Sequence, residues 1–228
     1  MKKLKNKKIV IPCCVLLAAL IIGLTIAFLT DFDSAKNILT IGSVDVELVE
    51  PNYPPDPADR ILVPYGTVKK DPVIANTGTT DSIVFIEITA PLVDSTAILS
   101  DRSKGTSDYR EVFKTNVDDS SQTAAHGLIS YNKNWVFLSE NTDTNAHTKT
   151  YLFGYSAVIS PNAKTAPLFD SVSLISILES STEANTTASI VAQGYAIQSS
   201  NIDGVDPSAP LDYDDLTNVF TIISQQRG

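Results

Sequence analysis

Two histidines, His126 and His147, are the side chains in this chain best suited to binding a metal ion, because imidazole is a common zinc ligand. A zinc peptidase of the usual kind needs two histidines one helical turn apart with a glutamate base between them, as in His-Glu-x-x-His. Here the two histidines are 21 positions apart in polar stretches without a helical pattern, and Glu140 lies between them. We therefore predict no metal ligands and no zinc site.

Hydroxyl and carboxylate groups give no catalytic set either. The sequence has no Gly-x-Ser-x-Gly turn, and its serines fall in Ser/Thr-rich stretches typical of turns. Asp118-Asp119 and Asp214-Asp215 are acidic pairs, but neither belongs to a calcium loop of the regular kind. We interpret Asp214-Asp215 as a helix start and Asp118-Asp119 as a solvated loop. The sequence thus predicts no catalytic residue, no cofactor and a protein that is not an enzyme.

An aromatic set has two interpretations. Aromatic side chains at alternate strand positions usually fill the interior of a sandwich, but such a row can also line a glycan-binding face. We favour the interior, because buried aromatics dominate core packing. The set comprises Trp135, Phe137, Tyr151, Phe153 and Tyr155.

The elements that must position these residues follow an export leader. Five lysines in the first eight residues precede the uncharged run 9–29, and small residues stand at Thr25 and Ala27. This is the layout of a signal peptide, so we predict a leader over 1–27, cleavage between Ala27 and Phe28, and a secreted protein. The alternative is an uncleaved anchor, since the run has 21 residues and about 20 suffice to span a bilayer.

The remaining chain, 28–228, is acidic and free of cysteine. Without the five leader lysines, 12 of the 17 basic residues remain against 26 acidic ones, a formal charge of −14. Such a charge repels nucleic acid and anionic lipid, so we expect no nucleic-acid partner and membrane contact only through the leader. Both cysteines, Cys13 and Cys14, lie in the leader. The exported part must therefore be held by a packed core without disulfides.

Short apolar runs separated by Asn, Asp, Gly and Pro predict a β-rich domain. The run 82–89 has apolar residues on both faces, which predicts a central strand covered on both sides. Asn76-Thr77-Gly78-Thr79 predicts a turn, because Asn and Gly tolerate positive φ. The predicted strands cover 41–49, 69–75, 82–89, 135–138, 148–159, 172–178 and 188–198.

Two segments depart from this strand pattern. Residues 94–134 are rich in Ser, Thr, Asp and Asn, with a short helical pattern at Tyr109, Val112 and Phe113, and we interpret them as a long loop insertion. Near the end, Leu216, Val219, Phe220 and Ile223 are spaced as one face of a helix. We predict a single all-β sandwich domain over 28–228 with a short C-terminal helix docked on it.

Four segments together resemble the TasA/camelysin-type family of secreted proteins from Gram-positive bacteria, which are exported with a SipW-type signal peptidase. The likeness spans most of the chain except 94–134. The residues that carry it are Phe28-Leu29-Thr30-Asp31 leading to Gly42-Ser43-Val44-Asp45-Val46, then 65–78, Pro167-Leu168-Phe169-Asp170-Ser171-Val172, and Gly194-Tyr195-Ala196-Ile197-Gln198.

This resemblance implies a jelly-roll-like sandwich and, for some members, subunits of extracellular fibres in biofilm matrix. In such fibres the mature N-terminal segment of one subunit adds as a strand to the next. Here that segment is 28–41, an extended peptide that could pair with an open sheet edge of the next subunit. The alternatives are that it pairs within its own subunit or is a frayed terminus. Its candidate contact residues are Phe28, Phe32, Ile38, Leu39 and Ile41.

The resemblance leaves three functions open. We expect a structural protein of the cell surface or extracellular matrix, with copies of itself or related matrix subunits as partners. A camelysin-like secreted metallopeptidase is the second, and it depends on the resemblance alone. A membrane-anchored surface protein is the third, and it requires that the leader stays attached.

Overall fold

The structure is a computed structural model that describes residues 43–62, 66–175 and 189–226. These residues belong to one compact unit, which begins at Gly42. The predicted leader, its predicted cleavage site at Ala27 and Phe28, and the predicted contact residues Phe32, Ile38, Leu39 and Ile41 lie outside the described residues. Within the described part no helix is both long and apolar enough to cross a bilayer.

The described residues form twelve strands and one α-helix. All strand pairings are antiparallel. Short 3-10 helices stand at Pro57–Arg60 and Ser120–Gln122. The elements are β1 Val46–Val49, β2 Thr67–Lys69, β3 Val73–Asn76, β4 Ser82–Ile98, β5 Lys104–Glu111, β6 Phe113–Asn116, β7 Thr123–His126, β8 Ile129–Asn132, β9 Trp135–Asp143, β10 Thr148–Tyr155, β11 Ser171–Leu174, β12 Val191–Gln198 and α1 Tyr213–Gln226.

These strands build a sandwich around one large sheet. The large sheet has the order β12-β4-β10-β9, and β5 pairs with the far end of β4. Three smaller sheets, β1-β3, β2-β11-β6 and β7-β8, supply the opposite layer. Side chains of both layers meet in an interior core, which confirms the predicted all-β sandwich. The buried members of this interior core are Ile74, Val84, Ile86, Ile88, Ile129, Trp135, Tyr151, Phe153, Ile159, Leu168, Phe169 and Val172.

Strand β4 lies at the centre of the large sheet because both of its faces are apolar. Val84, Ile86 and Ile88 point into the interior core. Ile83 and Phe85 point to the other face, where α1 covers them. All five side chains are at most 1% exposed, as the apolar alternation over 82–89 predicts. The cluster under α1, which we call the helix core, comprises Ile83, Phe85, Leu138, Leu152, Leu211, Leu216, Val219 and Ile223.

Helix α1 begins with a reciprocal cap. Asp212 Oδ1 accepts hydrogen bonds from the N–H groups of Asp214 and Asp215, at 2.9 and 3.0 Å. The Asp215 carboxylate accepts the Asp212 N–H at 3.2 Å in return, which is the arrangement of a capping box. Both the predicted C-terminal helix and the interpretation of Asp214-Asp215 as its start are confirmed.

The turn after β3 is confirmed, but its physical basis differs from the prediction. Neither Asn76 nor Gly78 has positive φ. A Cβ at Gly78 would overlap the carbonyl oxygen of Ser43 and lie 2.7 Å from Asp45 N. The Gly78 N–H donates to Asp45 O at 2.9 Å. The glycine is needed because the two backbones come too close together for a side chain.

The prediction of one continuous strand over 69–75 is wrong. It is split between β2, which pairs with β11, and β3, which pairs with β1. Asp71 stands in the break and accepts hydrogen bonds from the N–H and side-chain amide of Asn52, at 2.9 and 2.7 Å. Pro72 follows with no N–H for a sheet ladder. The chain therefore passes from one small sheet to the next at this point.

Residues 94–134, predicted as a loop insertion, are more regular than expected. Strand β4 continues to Ile98 and forms a hairpin with β5, and β6 pairs with β11. The helical interpretation of Tyr109, Val112 and Phe113 is wrong, because these residues lie in or between β5 and β6. The polar side chains of β5 are mostly exposed on both faces, so alternation of apolar residues could not reveal the strand.

Candidate functional site

The inner face of the large sheet continues beyond the interior core as a charged surface. Opposite residues of an antiparallel pair point to the same face, and Ile88 of the interior core faces Tyr151, which in turn faces Glu140. Ala90 faces Lys149, two residues further along both strands. We call the surface the polar shelf; it comprises Asp94, Tyr109, Glu111, Glu140, His147 and Lys149.

Strand β5 extends the polar shelf on the side of β4 that faces away from β10. The Leu92 N–H donates to His147 O at 2.7 Å, on the β10 side. Leu92 also pairs with Glu111 of β5, so β5 must lie along the other edge of β4. Asp94 pairs with Tyr109 two residues further on. The polar shelf therefore crosses four adjacent strands in the order β5, β4, β10 and β9.

Lys149 is the centre of the charge network on the polar shelf. Its ammonium group pairs with Glu111 and, at 3.0 Å, with Glu140. Burial disfavours the charge on Lys149, but the hydrogen bonds to Glu111 and Glu140 outweigh burial and raise its pKa. The hydrogen bond from Lys149 lowers the pKa of Glu140, and His126 adds to this effect. Lys149 and Glu140 are therefore both charged at neutral pH.

His126 reaches the polar shelf from the opposite layer. Its Nε2 lies 3.1 Å from Glu140 Oε2, and its ring stacks on Phe137 with the centroids 3.8 Å apart. Because the Glu140 carboxylate is ionised, Nε2 must carry the hydrogen of this bond. The contacts of His126 with Glu140 and Phe137 therefore link β7 to β9.

Tyr151 joins the charge network to the interior core. Its side chain is 1% exposed, and its hydroxyl group is hydrogen-bonded to Glu111. Burial, followed by the Glu111 hydrogen bond and the negative charges of Glu111 and Glu140, raises the pKa of Tyr151 strongly. Tyr151 therefore stays neutral and serves as the polar end of an apolar core.

The other end of the polar shelf carries a stacked aromatic pair. The rings of Tyr109 and His147 lie 3.5 Å apart and within 3° of parallel. Tyr109 is 47% exposed despite this contact. His147 has a φ of 51°, in the left-handed region that non-glycine residues seldom adopt. The stack therefore holds an exposed aromatic ring in a fixed orientation.

His126 and His147, the two histidines weighed as metal ligands, lie on or against the polar shelf but contact different residues. His126 contacts Glu140, whereas His147 contacts Tyr109. Lys149 also pairs with Glu140, which places an ammonium group where a cation would have to bind. In residues 43–62, 66–175 and 189–226 no group of three or more His, Cys, Asp or Glu side chains could hold a metal ion. The arrangement favours charge pairing between strands over metal chemistry.

The aromatic set belongs to the interior, as the sequence analysis favours. Trp135, Tyr151 and Phe153 are buried, and Phe137 and Tyr155 are partly buried against them. Trp135 Nε1 donates to Ala166 O at 3.1 Å, which satisfies its one polar group. The glycan-binding interpretation of this set is wrong, because the rings have too little exposed surface for a ligand.

The acidic pair Asp118-Asp119 has local structural roles. Asp118 pairs with Lys69 at 2.7 Å, with both side chains largely exposed. Asp119 caps the 3-10 helix Ser120–Gln122 by accepting the Ser121 N–H at 2.9 Å. Both residues are exposed to solvent, as predicted.

A groove of about 150 Å³ lies apart from the polar shelf, at the edge of the interior core. Two cations contact its Tyr53 ring: the Arg60 guanidinium at 4.8 Å and the Lys70 ammonium at 5.2 Å. Arg60 also donates to the carbonyl oxygens of Pro54 and Pro55, and Lys70 pairs with Glu50 at 2.6 Å. These cations are therefore engaged in holding the loop 50–60. The groove is lined by Tyr53, Arg60, Leu62, Val68, Lys70, Phe113, Val172, Ser189 and Ile190.

Comparison with known proteins adds no further constraint. No protein-family model, no curated protein and no solved structure matches the chain.

The charge network of the polar shelf could not be found from the sequence. Glu111 precedes Glu140 and Lys149 by 29 and 38 positions, and it meets them through the registers of β4 with β5, of β4 with β10 and of β9 with β10. The one available signal was that Glu140 follows the predicted strand 135–138 and Lys149 lies within the predicted strand 148–159, both of which contain aromatic residues.

Proposed function

We propose that this protein is a structural component of the cell surface or extracellular matrix, exported by its leader and assembling through its N-terminal segment. The resemblance to the TasA/camelysin-type family, as fibre-forming and SipW-dependent secreted proteins, suggests this function. The segment 28–41 is the proposed contact strand, and a second copy or a related subunit is the proposed partner.

One observation carries the proposal. Among the described residues β1 pairs with β3 alone, so no described strand pairs with its other edge. The segment 28–41 leads into this strand through residues 42–45. An unpaired strand edge offers backbone groups to which an extended peptide can add. Val46 and Leu48 of β1 pack against the interior core, so an added strand would extend an existing sandwich layer.

The polar shelf supports a structural role over a catalytic one. Its one lysine is paired with two glutamates, and its buried tyrosine is held neutral. A catalytic lysine or carboxylate is usually poised by its surroundings to change protonation near neutral pH. Here the pKa shifts run in the opposite direction, away from neutrality.

The test is assembly of the protein collected from the medium of an expressing Gram-positive host. We expect fibres or large oligomers in electron microscopy and in sedimentation. Deletion of 28–40 should leave a folded monomer. A matched control is the variant Phe32→Tyr, which keeps the segment and its aromatic ring.

A strictly monomeric protein at high concentration would contradict the proposal. So would a deletion variant that still assembles as well as the intact chain. N-terminal sequencing of the same material decides the anchored alternative, because a start at Phe28 excludes a retained leader.

A different measurement distinguishes a camelysin-like metallopeptidase from a structural protein. Zinc analysis and casein cleavage are compared between the unaltered protein and the His126→Ala, His147→Ala double variant. Bound zinc and cleavage that both disappear in the variant would favour the peptidase and contradict a purely structural role.

A further inference from the structure

We propose that the Tyr109 end of the polar shelf binds a linear polysaccharide that carries free amino groups. This inference goes beyond the structural role and does not require fibre assembly. It starts from a ring that is about half exposed in a fold whose other large aromatic side chains are mostly covered.

The Tyr109 ring is preorganised for stacking against a ligand. The His147 ring lies parallel to it at 3.5 Å and restrains its rotation. A restrained ring loses little conformational freedom when a ligand stacks on it, which favours binding. The apolar face of a sugar ring is a flat partner of similar size, and hydroxyl groups at its edge remain available for hydrogen bonds.

Asp94 supplies the polar group beside this ring. It stands directly opposite Tyr109 in the β4–β5 pair, so both side chains point to the same face. Asp94 Oδ1 accepts a hydrogen bond from Ser107 Oγ at 2.6 Å, which orients the carboxylate. In the part of the chain that the structure describes, no hydrogen bond occupies the other oxygen, Oδ2. That oxygen can accept from a sugar hydroxyl or ammonium group.

Charge selects the class of polysaccharide. From residue 28 onward the chain has 12 basic and 26 acidic residues, and Lys149 on the shelf is already neutralised by two glutamates. An anionic polymer would be repelled, whereas a polymer with ammonium groups would be attracted. An exposed carboxylate next to an aromatic ring therefore fits an amino sugar better than a neutral or acidic one.

The dimensions of the polar shelf fit a chain of several sugars. The shelf crosses β5, β4, β10 and β9, which are three strand spacings of about 4.8 Å each, or roughly 14 Å. Asp94 and Glu140 are exposed at the two ends of this line, and the side chains of Glu111 and Lys149 between them are 23% and 18% exposed. A linear polymer can stack on Tyr109 and continue across the remaining strands.

The test is calorimetric titration of the secreted protein with a glucosamine hexamer at physiological salt, with the fully N-acetylated hexamer as a second probe. We expect saturable binding of the glucosamine hexamer and weaker binding of the acetylated one. Tyr109→Ala and Asp94→Asn should each weaken binding at least tenfold, and Tyr109→Trp should retain it.

Tyr213→Ala is the matched control, since Tyr213 is 50% exposed but lacks a stacked partner ring among the described aromatic contacts. We expect this variant to bind as the unaltered protein does. Circular dichroism verifies that each variant is folded.

Three results would overturn the proposal. The first is no saturable binding of either hexamer. The second is unchanged affinity in the folded Tyr109→Ala and Asp94→Asn variants. The third is an equal loss in Tyr213→Ala, which would show that the Tyr109 ring is not the specific stacking surface, or full competition by polylysine, which would assign the binding to overall negative charge.

Discussion

At the scale of single residues, Lys149 has the most consequential position in the described structure. It lies between two carboxylates that come from different strands, and it covers the polar end of Tyr151, with its Nζ 5.1 Å from the ring centroid. Its side chain is only 18% exposed. Removing such a charge leaves its partners facing each other with little solvent to screen them.

We predict that Lys149→Met lowers the free energy of unfolding by about 1–3 kcal/mol, because Glu111 and Glu140 lose their shared donor. Urea unfolding at pH 7 measures the change. The double variant Lys149→Met, Glu111→Gln should recover part of the loss, since one repelling charge is gone. An unchanged midpoint in Lys149→Met would show that the network contributes nothing to stability.

Stability should also fall in alkaline solution. Tyr151 and Lys149 both have raised pKa values in the folded state, so the folded protein retains these protons longer than the unfolded chain does. Their contribution is complete below the unfolded pKa values of about 10 to 10.4 and is lost as the pH rises further.

Chemical unfolding measured between pH 8 and pH 11 checks this sign. Tyr151→Phe has no proton to lose at this position, so its stability should fall less steeply over the same range. Tyr213→Phe, at an exposed tyrosine, is the control and should keep the slope of the unaltered protein. Identical slopes in all three proteins would contradict the assignment to Tyr151.

At the scale of elements, the turn after β3 fixes the start of the described domain. Ser43 O accepts the Thr79 N–H at 3.0 Å, and Asp45 O accepts the N–H groups of Thr77 and Gly78. The Ser43 N–H in turn donates to Thr79 Oγ1 at 3.0 Å. This group of bonds, which we call the entry clamp, depends on the missing side chain at Gly78.

Gly78→Ala should therefore destabilise the fold by about 1–3 kcal/mol, the usual cost of forcing atoms into a filled space. Thermal unfolding measures the loss. Gly194→Ala is the matched control, because a Cβ there would meet Ile74 Cδ1 at an ordinary 3.4 Å. Equal melting temperatures for the two variants would show that the entry clamp can move apart without cost.

Elements whose apolar residues face a filled core could be predicted from the sequence. Strand β4 and helix α1 each bury a regular set of apolar side chains, so their periods of two and 3.6 are visible along the chain. The split between β2 and β3 was not visible, since it depends on two different partner strands. The hairpin of β4 and β5 was missed because its outer strand is polar on both faces.

The sequence indicated some individual residues of the candidate site but not how they are arranged. His126, His147 and Glu140 stood out by residue type, and the structure brings His126 to Glu140. Glu111 carried no signal, and Lys149 carried only its place in a predicted strand, because a single lysine or glutamate in or beside a strand is ordinary. Their meeting is set by strand register, which sequence periodicity does not encode.

At the scale of the whole molecule, one sheet with two covered faces replaces disulfides as the source of stability. The interior core lies on one face of β4 and the helix core on the other. No cysteine occurs after Cys14. A fold of this kind needs no oxidant to mature, which is compatible with the export that we propose.

The excess of negative charge should make the proposed assembly depend on salt. Like-charged subunits repel one another, and ions screen this repulsion over about 10 Å at 0.1 M salt. We predict that raising sodium chloride from 10 to about 150 mM increases the fraction of assembled protein, as measured by sedimentation. A decrease would instead assign the subunit contact to opposite charges.

The entry clamp has a mechanical consequence. Tension on the chain ahead of Gly42 would arrive first at Ser43 and Asp45, whose backbones are tied to residues 77–79. Those hydrogen bonds would come under load together, before the hydrogen bonds between β1 and β3 did. A domain pulled by the chain ahead of Gly42 would therefore stay folded up to the force that breaks the entry clamp. A single added methyl group at Gly78 would lower the force at which unfolding begins.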